Sequence, residues 1–244
     1  MEQRVALVPG GARGIGREIA LALADRGWSV AVAYRTSAKE AAEVETEARR
    51  RGVRALAVQA DVSRADEAEA LVRRIEGEWR TIDALVHAAG PYRRIELLSE
   101  TPEGWDEMFR HNLHSLFYCA RAVAAGMTTR RWGRILAFSM AGADHVQARP
   151  QLTAHFIAKM GVQVLVRSLA RTLAPHGITA NCISPGFVDS GSAPAEELQK
   201  MLKTIPAGRL GTLDDARAAA LFLLSDEAAY VNGANLVLSG GWGL

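Results

Sequence analysis

The chain has 244 residues, of which 49% are hydrophobic and 23% are charged. Lys and Arg number 29 and Asp and Glu number 27, so the formal net charge is +2. This composition excludes a largely disordered chain, and the nearly balanced charge gives no support for a nucleic-acid-binding surface. At roughly 150 residues per domain, the length favours one large domain that spans residues 1–244.

Two features of the sequence indicate the cellular compartment of the protein. No apolar run approaches the roughly 18 residues of a membrane span, and the run that ends at Pro9 is too short for a signal peptide. Cys119 and Cys182 are too few for a disulfide framework and are expected to be buried free thiols. We therefore expect a cytoplasmic protein that has no membrane partner.

Short apolar runs alternate with longer amphipathic segments along the whole chain. The predicted strands are Arg4–Val8, Ser29–Tyr34, Arg54–Gln59, Ile82–His87, Arg134–Ser139, Ile178–Ser184 and Ala234–Ser239. The predicted helices are Ile15–Arg26, Lys39–Arg51, Arg64–Trp79, Trp105–Arg130, His155–Leu173 and Leu213–Leu224. This alternation predicts an α/β fold, a single doubly wound Rossmann-type domain of about seven parallel strands flanked by helices.

A glycine-rich turn joins the first predicted strand to the first helix. It contains Gly10, Arg13, Gly14, Ile15 and Gly16. Glycines at this position allow a tight turn and a close approach of the backbone to phosphate, and the following helix offers free N–H groups and a positive dipole end. The turn therefore indicates a dinucleotide site at the start of the helix.

Further residues complete a pattern in chain order. They are Asp61-Val62 after the third strand, Ala88-Ala89-Gly90 after the fourth, Asn112 in the long helix, Ser139 at the end of the fifth strand, Lys159, Pro185-Gly186 with Val188 and Ser190, and Gly233 with Gly240-Gly241. With the glycine turn, this set resembles the classical short-chain dehydrogenase/reductase family over essentially the whole chain. The branch that it is most similar to is that of the 3-oxoacyl-(acyl carrier protein) reductases.

The resemblance implies hydride transfer between NADP(H) and a carbonyl or hydroxyl substrate, for which a 3-oxoacyl thioester on a carrier is one candidate. It assigns catalytic roles to three residues that are present here. Ser139 donates a hydrogen bond to the carbonyl oxygen, Lys159 binds the nicotinamide ribose and lowers the pKa of the acid, and Asn112 holds a water that relays protons. The coenzyme contacts that it implies are Gly10, Gly14, Ile15, Gly16, Asp61, Val62, Ala89, Gly90, Lys159, Pro185, Gly186, Val188 and Ser190.

The choice of coenzyme can be argued from charge. An NAD site normally has an acidic residue at the end of the second strand, which binds the ribose 2′-OH. The segment Ser29–Lys39 contains no acid, and Arg35 stands at that strand end, with Arg13 in the glycine turn. Two guanidinium groups suit a 2′-phosphate, so we expect NADP(H).

The chain departs from the family pattern at several positions. Pro9 replaces the usual Thr, and His87-Ala88 replaces an Asn pair. The family has Tyr four residues before the Lys, whereas this chain has His155, and the stretch that precedes it is a few residues longer than usual. Two hypotheses follow for His155: it donates the proton, or it only fills space while the longer loop repositions the substrate. The loss of the Tyr also supports a rival function, a catalytically weak or inactive NADP(H)-binding protein that acts as a sensor or partner subunit, whereas the retained Ser139, Asn112 and Lys159 argue against it.

Other residue types at suggestive positions have simpler interpretations. Tyr92 and Tyr118 could replace the missing Tyr, but packing roles are favoured for both. His111 and His114 lie three residues apart on one predicted helix, yet no third ligand is evident, so no metal site is predicted. Arg130-Arg131 occupies a region that meets the carrier protein in the resembled branch, although a solvated helix end is favoured.

Assembly and substrate can be addressed only in outline. The helices Trp105–Arg130 and His155–Leu173 and the C-terminal segment Asn235–Leu244 are more apolar than one sheet face requires, which predicts a homo-oligomer, a dimer or tetramer. The segments Phe187–Ile205 and Ala143–Thr153 are expected to shape the substrate pocket, but their residue types do not identify the substrate.

Overall fold

The computed structural model describes residues 3–189 and 195–243, and one predicted coenzyme contact, Ser190, lies outside these residues. The described residues contain seven strands in one sheet, with the order β3-β2-β1-β4-β5-β6-β7. The strands are β1 (Val5–Pro9), β2 (Ser29–Tyr34), β3 (Ala55–Gln59), β4 (Ala84–His87), β5 (Gly133–Phe138), β6 (Ile178–Pro185) and β7 (Asn235–Leu238). All six neighbouring pairs are parallel, which confirms the predicted fold class.

Helices cover both faces of this sheet. They are α1 (Gly14–Asp25), α2 (Ala38–Arg50), α3 (Ala65–Trp79), α4 (Pro102–Phe109), α5 (Ser115–Arg130), α6 (Thr153–Leu173), α7 (Ala195–Leu202) and α8 (Leu213–Leu223). A π turn, Arg110–His114, joins α4 to α5, and short 3₁₀ turns lie at Leu97–Ser99 and Ala174–His176. Within the described ranges, none of the helices is long and apolar enough to cross a membrane.

The two faces of the sheet form separate apolar cores because successive strand residues point to opposite faces. In β1, Leu7 packs into the core beneath α3, α5 and α6, and Val8 packs into the core beneath α1, α2 and α8. Burial on both faces explains the near-continuous apolar runs from which the strands were predicted. Cys119 and Cys182 are buried free thiols, as expected.

The prediction of one continuous helix over Trp105–Arg130 is wrong in two respects. The helix begins earlier, at Pro102, because the Thr101 hydroxyl accepts a hydrogen bond from the Gly104 N–H at 3.1 Å and proline suits the first helical position. It is then interrupted by the π turn at Arg110–His114, which holds one residue more per turn than the apolar periodicity suggested.

The chain order of the strands reverses between β1 and β4, and this places a crevice at their carboxyl ends. Backbone hydrogen bonds fix this edge: Gly10 N donates to Ala33 O at 3.0 Å, and Ala88 N donates to Pro9 O at 2.9 Å. Pro9 pairs with Ala33 in the sheet and contributes its carbonyl, so the missing N–H does not break the strand. The candidate site lies at this edge.

Candidate functional site

The glycine turn after β1 is in backbone contact with the turn after β4. Gly10 has φ +78°, and a Cβ placed there would lie 2.6 Å from Ala89 N. A Cβ at Gly16 would overlap the Gly10 carbonyl oxygen, and one at Gly90, where φ is +141°, would overlap the Asn112 side-chain oxygen. These three positions have no space for a side chain, so the two turns form a wall made of backbone.

A cavity of about 360 Å³ opens beside this wall. Its lining contains seven of the predicted coenzyme contacts, and we call it the adenosine cavity: Gly10, Arg13, Arg35, Asp61, Val62, Ala89 and Gly90. Helix α1 begins beside the cavity at Gly14, and no side chain caps its N-terminus, so the N–H groups of Ile15 and Gly16 belong to a helix end suited to pyrophosphate. The backbone wall, the helix end and the cavity fit a dinucleotide coenzyme.

The two predicted phosphate-binding arginines differ in their surroundings. Arg13 has an exposed side chain, and its Nη1 lies 3.9 Å from Glu40 Oε1. Arg35 Nη1 lies 2.8 Å from His111 Nε2. Burial raises the pKa of Asp61, but hydrogen bonds from Ser63 and the charges of His111 and Arg35 outweigh burial, so the net pKa is lowered and Asp61 is a carboxylate.

Beyond the adenosine cavity, three polar side chains form a buried hydrogen-bonded group. The Ser139 hydroxyl donates to the Lys159 carbonyl oxygen at 2.7 Å and accepts from Gln163 Nε2 at 3.1 Å. The Lys159 ammonium donates to the Phe138 carbonyl oxygen at 2.9 Å. Ser139 follows β5 directly, and Lys159 and Gln163 are one turn apart on α6, so the sheet edge and one helix face bring them together.

Lys159 is the charged residue of this group. Burial lowers its pKa to about 8, and burial followed by the Lys159 charge lowers the pKa of His87 to about 3. His87 ends β4, and its buried Nε2 has no hydrogen-bond partner in the described part of the chain. At neutral pH the buried Lys159 ammonium therefore lies near the neutral imidazole of His87.

His155 lies in the first turn of α6 and is buried. Burial and the Lys159 charge lower its pKa to about 4, against a hydrogen bond to the Pro91 carbonyl, which raises it. Its Nδ1 is buried without a partner among residues 3–189 and 195–243. The ring of Tyr92 packs edge-on against the imidazole, with 5.2 Å between the ring centroids. His155 is therefore a neutral imidazole enclosed by the segment that follows β4.

Asn112 lies in the π turn and is also buried. Its Nδ2 donates to the carbonyl oxygens of Pro91, at 3.2 Å, and Met108, at 3.0 Å. The Pro91 carbonyl thus faces both Asn112 and His155, and Pro91 also lines the adenosine cavity. The predicted catalytic residues and the predicted coenzyme contacts consequently meet along one continuous edge.

Comparison with known proteins agrees with this layout. A family model described as enoyl-(acyl carrier protein) reductase matches residues 10–243. The chain is 38% identical over 239 residues to the 3-oxoacyl-(acyl-carrier-protein) reductase FabG of Staphylococcus aureus, with 97% of this chain and 96% of the relative covered. The chain belongs to the short-chain dehydrogenase/reductase family.

Other members of the family have different substrates in their names. The chain is 34% identical over 247 residues to a 2-dehydro-3-deoxy-D-gluconate 5-dehydrogenase of Pseudoalteromonas atlantica, which covers 99% of this chain and 96% of the relative. A crystal structure from Sinorhizobium meliloti, described as a short-chain alcohol dehydrogenase, matches with a TM-score of 0.92 and 31% identity over 99% of this chain and 97% of that chain. One from Agrobacterium tumefaciens, described as a gluconate dehydrogenase, matches with a TM-score of 0.91 and 30% identity over 98% and 95%.

As a short-chain dehydrogenase/reductase, the protein is an oxidoreductase that transfers hydride between NADP(H) and a carbonyl or hydroxyl group.

Three other predicted coenzyme contacts lie at the end of β6 or directly after it. Pro185 accepts a hydrogen bond from Ala141 N at 2.9 Å, Gly186 N donates to Leu238 O at 2.9 Å, and Val188 is bridged to Gly211. These contacts hold the segment after β6 against β7 and against the loop that contains Ala141.

Arg130 and Arg131 are exposed at the end of α5, which agrees with the favoured interpretation of a solvated helix end, and each also contacts the backbone. Arg130 Nη2 donates to the Ile82 carbonyl at 2.7 Å, and Arg131 Nη2 donates to the Pro175 carbonyl at 3.0 Å. Both guanidinium groups therefore bind backbone at the ends of neighbouring elements.

Three residues near the site were not singled out as site residues from the sequence. Of the three, Gln163 was the easiest to find from the sequence, because it lies four residues after Lys159 and therefore on the same helix face. His87 was noted only as a departure in the turn after β4, although it is the last residue of a buried strand. His111 was considered only as a metal ligand, and its contact with Arg35 joins segments that are far apart in the chain.

Proposed function

We propose that the protein reduces the 3-oxo group of an acyl thioester with NADPH. The observation that carries the proposal is the buried group of Ser139, Gln163 and Lys159 at the end of β5, on the same carboxyl edge of the sheet as the adenosine cavity. The 38% identity to a 3-oxoacyl-(acyl-carrier-protein) reductase supports this substrate class over a sugar acid, for which the identity is 34%.

The bound coenzyme supplies a hydride to the carbonyl carbon, and negative charge develops on the oxygen. Ser139 would turn its hydroxyl from the Lys159 carbonyl to that oxygen, while Gln163 continues to donate to Ser139 and fixes its position. Lys159 would bind the nicotinamide ribose. Its ammonium charge also stabilises the developing alkoxide, because little water is present to screen the charge in this buried group.

Proton transfer to the substrate oxygen is the less favourable step of the reaction. A neutral imidazole can donate one hydrogen bond, and in this structure the N–H of His155 faces the Pro91 carbonyl. We propose that His155 leaves Pro91 and gives its N–H proton to the substrate oxygen while the unpartnered Nδ1 takes up a proton from water, so that the imidazole stays neutral, and that Asn112 supports this geometry by holding Pro91 from the other side. A slow enzyme is the expected consequence. An inactive binding protein is not favoured, since the relatives compared above are named as reductases and dehydrogenases.

The partners follow from this proposal. We infer a substrate delivered on a carrier in the cytoplasm, and a homo-oligomeric enzyme. Arg130 and Arg131 are exposed, and each uses one Nη2 for a backbone carbonyl, so their other N–H groups are available to an acidic carrier.

Consumption of NADPH tests the substrate class directly. Initial rates are measured by NADPH absorbance with a 3-oxoacyl thioester, with D-gluconate and NADP⁺ in the reverse direction, and with simple ketones. The proposal expects the highest kcat/KM for the thioester. A higher kcat/KM for the sugar acid would overturn the substrate class, and the absence of turnover with bound NADPH would overturn the catalytic role.

A further inference from the structure

The contact between Arg35 and His111 lies at the boundary of two cavities. Arg35, Asp61 and His111 line both the adenosine cavity and a second cavity of about 530 Å³. Arg35 follows β2, Asp61 follows β3, and His111 lies in the π turn, so the contact joins three separate segments. We propose that His111 modulates the preference for the coenzyme's 2′-phosphate that Arg35 sets, and that its protonation strengthens the preference for NADP(H) over NAD(H).

The geometry fixes the protonation of the ring. A guanidinium group can only donate hydrogen bonds, so His111 Nε2, at 2.8 Å from Arg35 Nη1, must be the acceptor and carry no hydrogen. The hydrogen of the neutral ring is therefore on Nδ1, which lies 3.8 Å from Asp61 Oδ1. In this state, His111 holds the Arg35 guanidinium in place and adds no positive charge.

Protonation of His111 changes both its contact with Arg35 and its charge. A hydrogen on Nε2 removes the acceptor, which frees Arg35 to bind the phosphate, and the imidazolium adds a second positive charge at the same boundary. The charged groups that face His111 are Arg35 from β2, Asp61 from β3, Glu107 from α4 with Oε1 4.0 Å from Nε2, and Arg110 from the π turn. Both acids remain available to pair with the imidazolium.

The direction of the pH effect follows from these charges. Burial and then Arg35 lower the pKa of His111, with a smaller effect from Arg110, and Asp61 and Glu107 oppose them. A bound phosphate dianion raises the pKa of His111 above its value in the free protein. Binding of NADP(H) therefore takes up a proton, and affinity rises as pH falls between the two pKa values. Each pKa unit of difference corresponds to about tenfold in affinity.

The test compares three proteins: wild type, His111→Gln and His114→Gln. Glutamine can accept from Arg35 but cannot gain a proton, and His114 is an exposed histidine of the same π turn, outside both cavity linings. Dissociation constants for NADPH and NADH are measured by calorimetry from about pH 6 to about pH 8.5, in two buffers that differ in ionisation enthalpy. We expect the selectivity for NADPH to rise about fivefold to tenfold towards low pH in wild type and His114→Gln.

The 2′-phosphate itself titrates near pH 6, but it does so equally in all three proteins, so the difference between them isolates His111. We expect a smaller pH dependence and a smaller proton uptake in His111→Gln. Identical pH dependence and proton uptake in wild type and His111→Gln would overturn the inference. This inference rests on the proposed binding of NADP(H), and the two can fail separately. Equal affinity of wild type for NADPH and NADH at every pH would overturn the coenzyme preference itself.

Discussion

At the scale of single residues, Lys159 has the least favourable environment in the site. Its ammonium is buried and has a carbonyl oxygen as its hydrogen-bond acceptor, and the neighbouring imidazoles of His87 and His155 are neutral. A buried cation without an anionic partner costs stability, and such cost is typical of functional sites. The same burial strengthens the effect of the charge on a substrate oxygen.

The cost can be measured as a pH dependence of stability. The pKa of Lys159 is about 8 in the folded protein and has its ordinary value of 10.5 in the unfolded chain, so the unfolded chain binds more protons between these values. The free energy of unfolding of wild type should therefore rise from pH 8 towards pH 10.5, relative to Lys159→Met, and the variant should be the more stable protein at pH 7. Chemical denaturation across this range measures both. Parallel curves for the two proteins would show that Lys159 is not destabilised by burial.

His155 can be tested by substitution. Restoring the hydroxyl with His155→Tyr should raise kcat about tenfold or more, because general acid catalysis contributes about 10²–10⁴-fold when the donor is well placed. His155→Ala should lower kcat. Tyr92→Phe is the matched control, since it keeps the ring contact and removes only the hydroxyl. A large loss in Tyr92→Phe with unchanged kcat in His155→Ala would transfer the role of proton donor to Tyr92.

Arg35 should decide between the two coenzymes. Wild type is expected to bind NADPH at least about tenfold more tightly than NADH, a difference of about 1.4 kcal/mol. Arg35→Gln should remove most of this difference and leave the affinity for NADH nearly unchanged, because the guanidinium recognises the 2′-phosphate alone. Arg13→Gln should have the smaller effect, since Arg13 is exposed and near Glu40. Fluorescence titration measures each constant, and unaltered selectivity in Arg35→Gln would contradict the assignment.

At the scale of secondary-structure elements, the β1–α1 turn is the most constrained connection. Gly10→Ala should destabilise the protein and abolish coenzyme binding, because its Cβ would lie 2.6 Å from Ala89 N and 2.7 Å from the Ala88 carbonyl carbon. Gly27→Ala is the control, since Gly27 has φ +81° but no atom within 4 Å of an added Cβ. We expect a loss of about 1 kcal/mol for Gly27→Ala and a clearly larger loss for Gly10→Ala. Thermal denaturation compares the two, and equal losses would show that backbone strain rather than the clash is responsible.

The sequence predicted elements well and contacts between distant segments poorly. Strands buried on both faces leave a local signal, and the sheet edge could be located because β1 and β4 end in recognisable turns. The start of α4 at Pro102 and the π turn depend on a cap and on packing, which the apolar periodicity does not report. The contacts of His155 with Pro91 and Tyr92, and of Arg35 with His111, join residues more than 60 positions apart, so only the fold could reveal them.

At the scale of the whole molecule, the outer surfaces of α5 and α6 are partly apolar. Phe117, Ile157 and Val164 are exposed on these helices, with Val164 60% exposed. Exposed apolar patches on helices favour symmetric association. We predict a dimer or tetramer at micromolar concentration, and Val164→Arg should shift it to a smaller species. Val146→Arg, at a loop position that is 95% exposed, is the control and should leave the mass unchanged. Light scattering after size exclusion measures the mass, and a monomeric wild type would contradict the prediction.

The π turn between α4 and α5 also decides where the chain can change length. Each residue of an α-helix turns the chain by about 100°, and the π turn already holds one residue more than an α-helical turn, so inserting a further residue in Arg110–His114 would rotate α5 by about that angle relative to α4. Residues of its buried face, such as Leu116 and Val123, would then leave the core. A change in the length of the loop between β5 and α6 has no such effect, because the number of residues in a loop does not set the rotation of the helix that follows. Insertions that accumulate as relatives diverge should therefore fall in that loop and spare the turn.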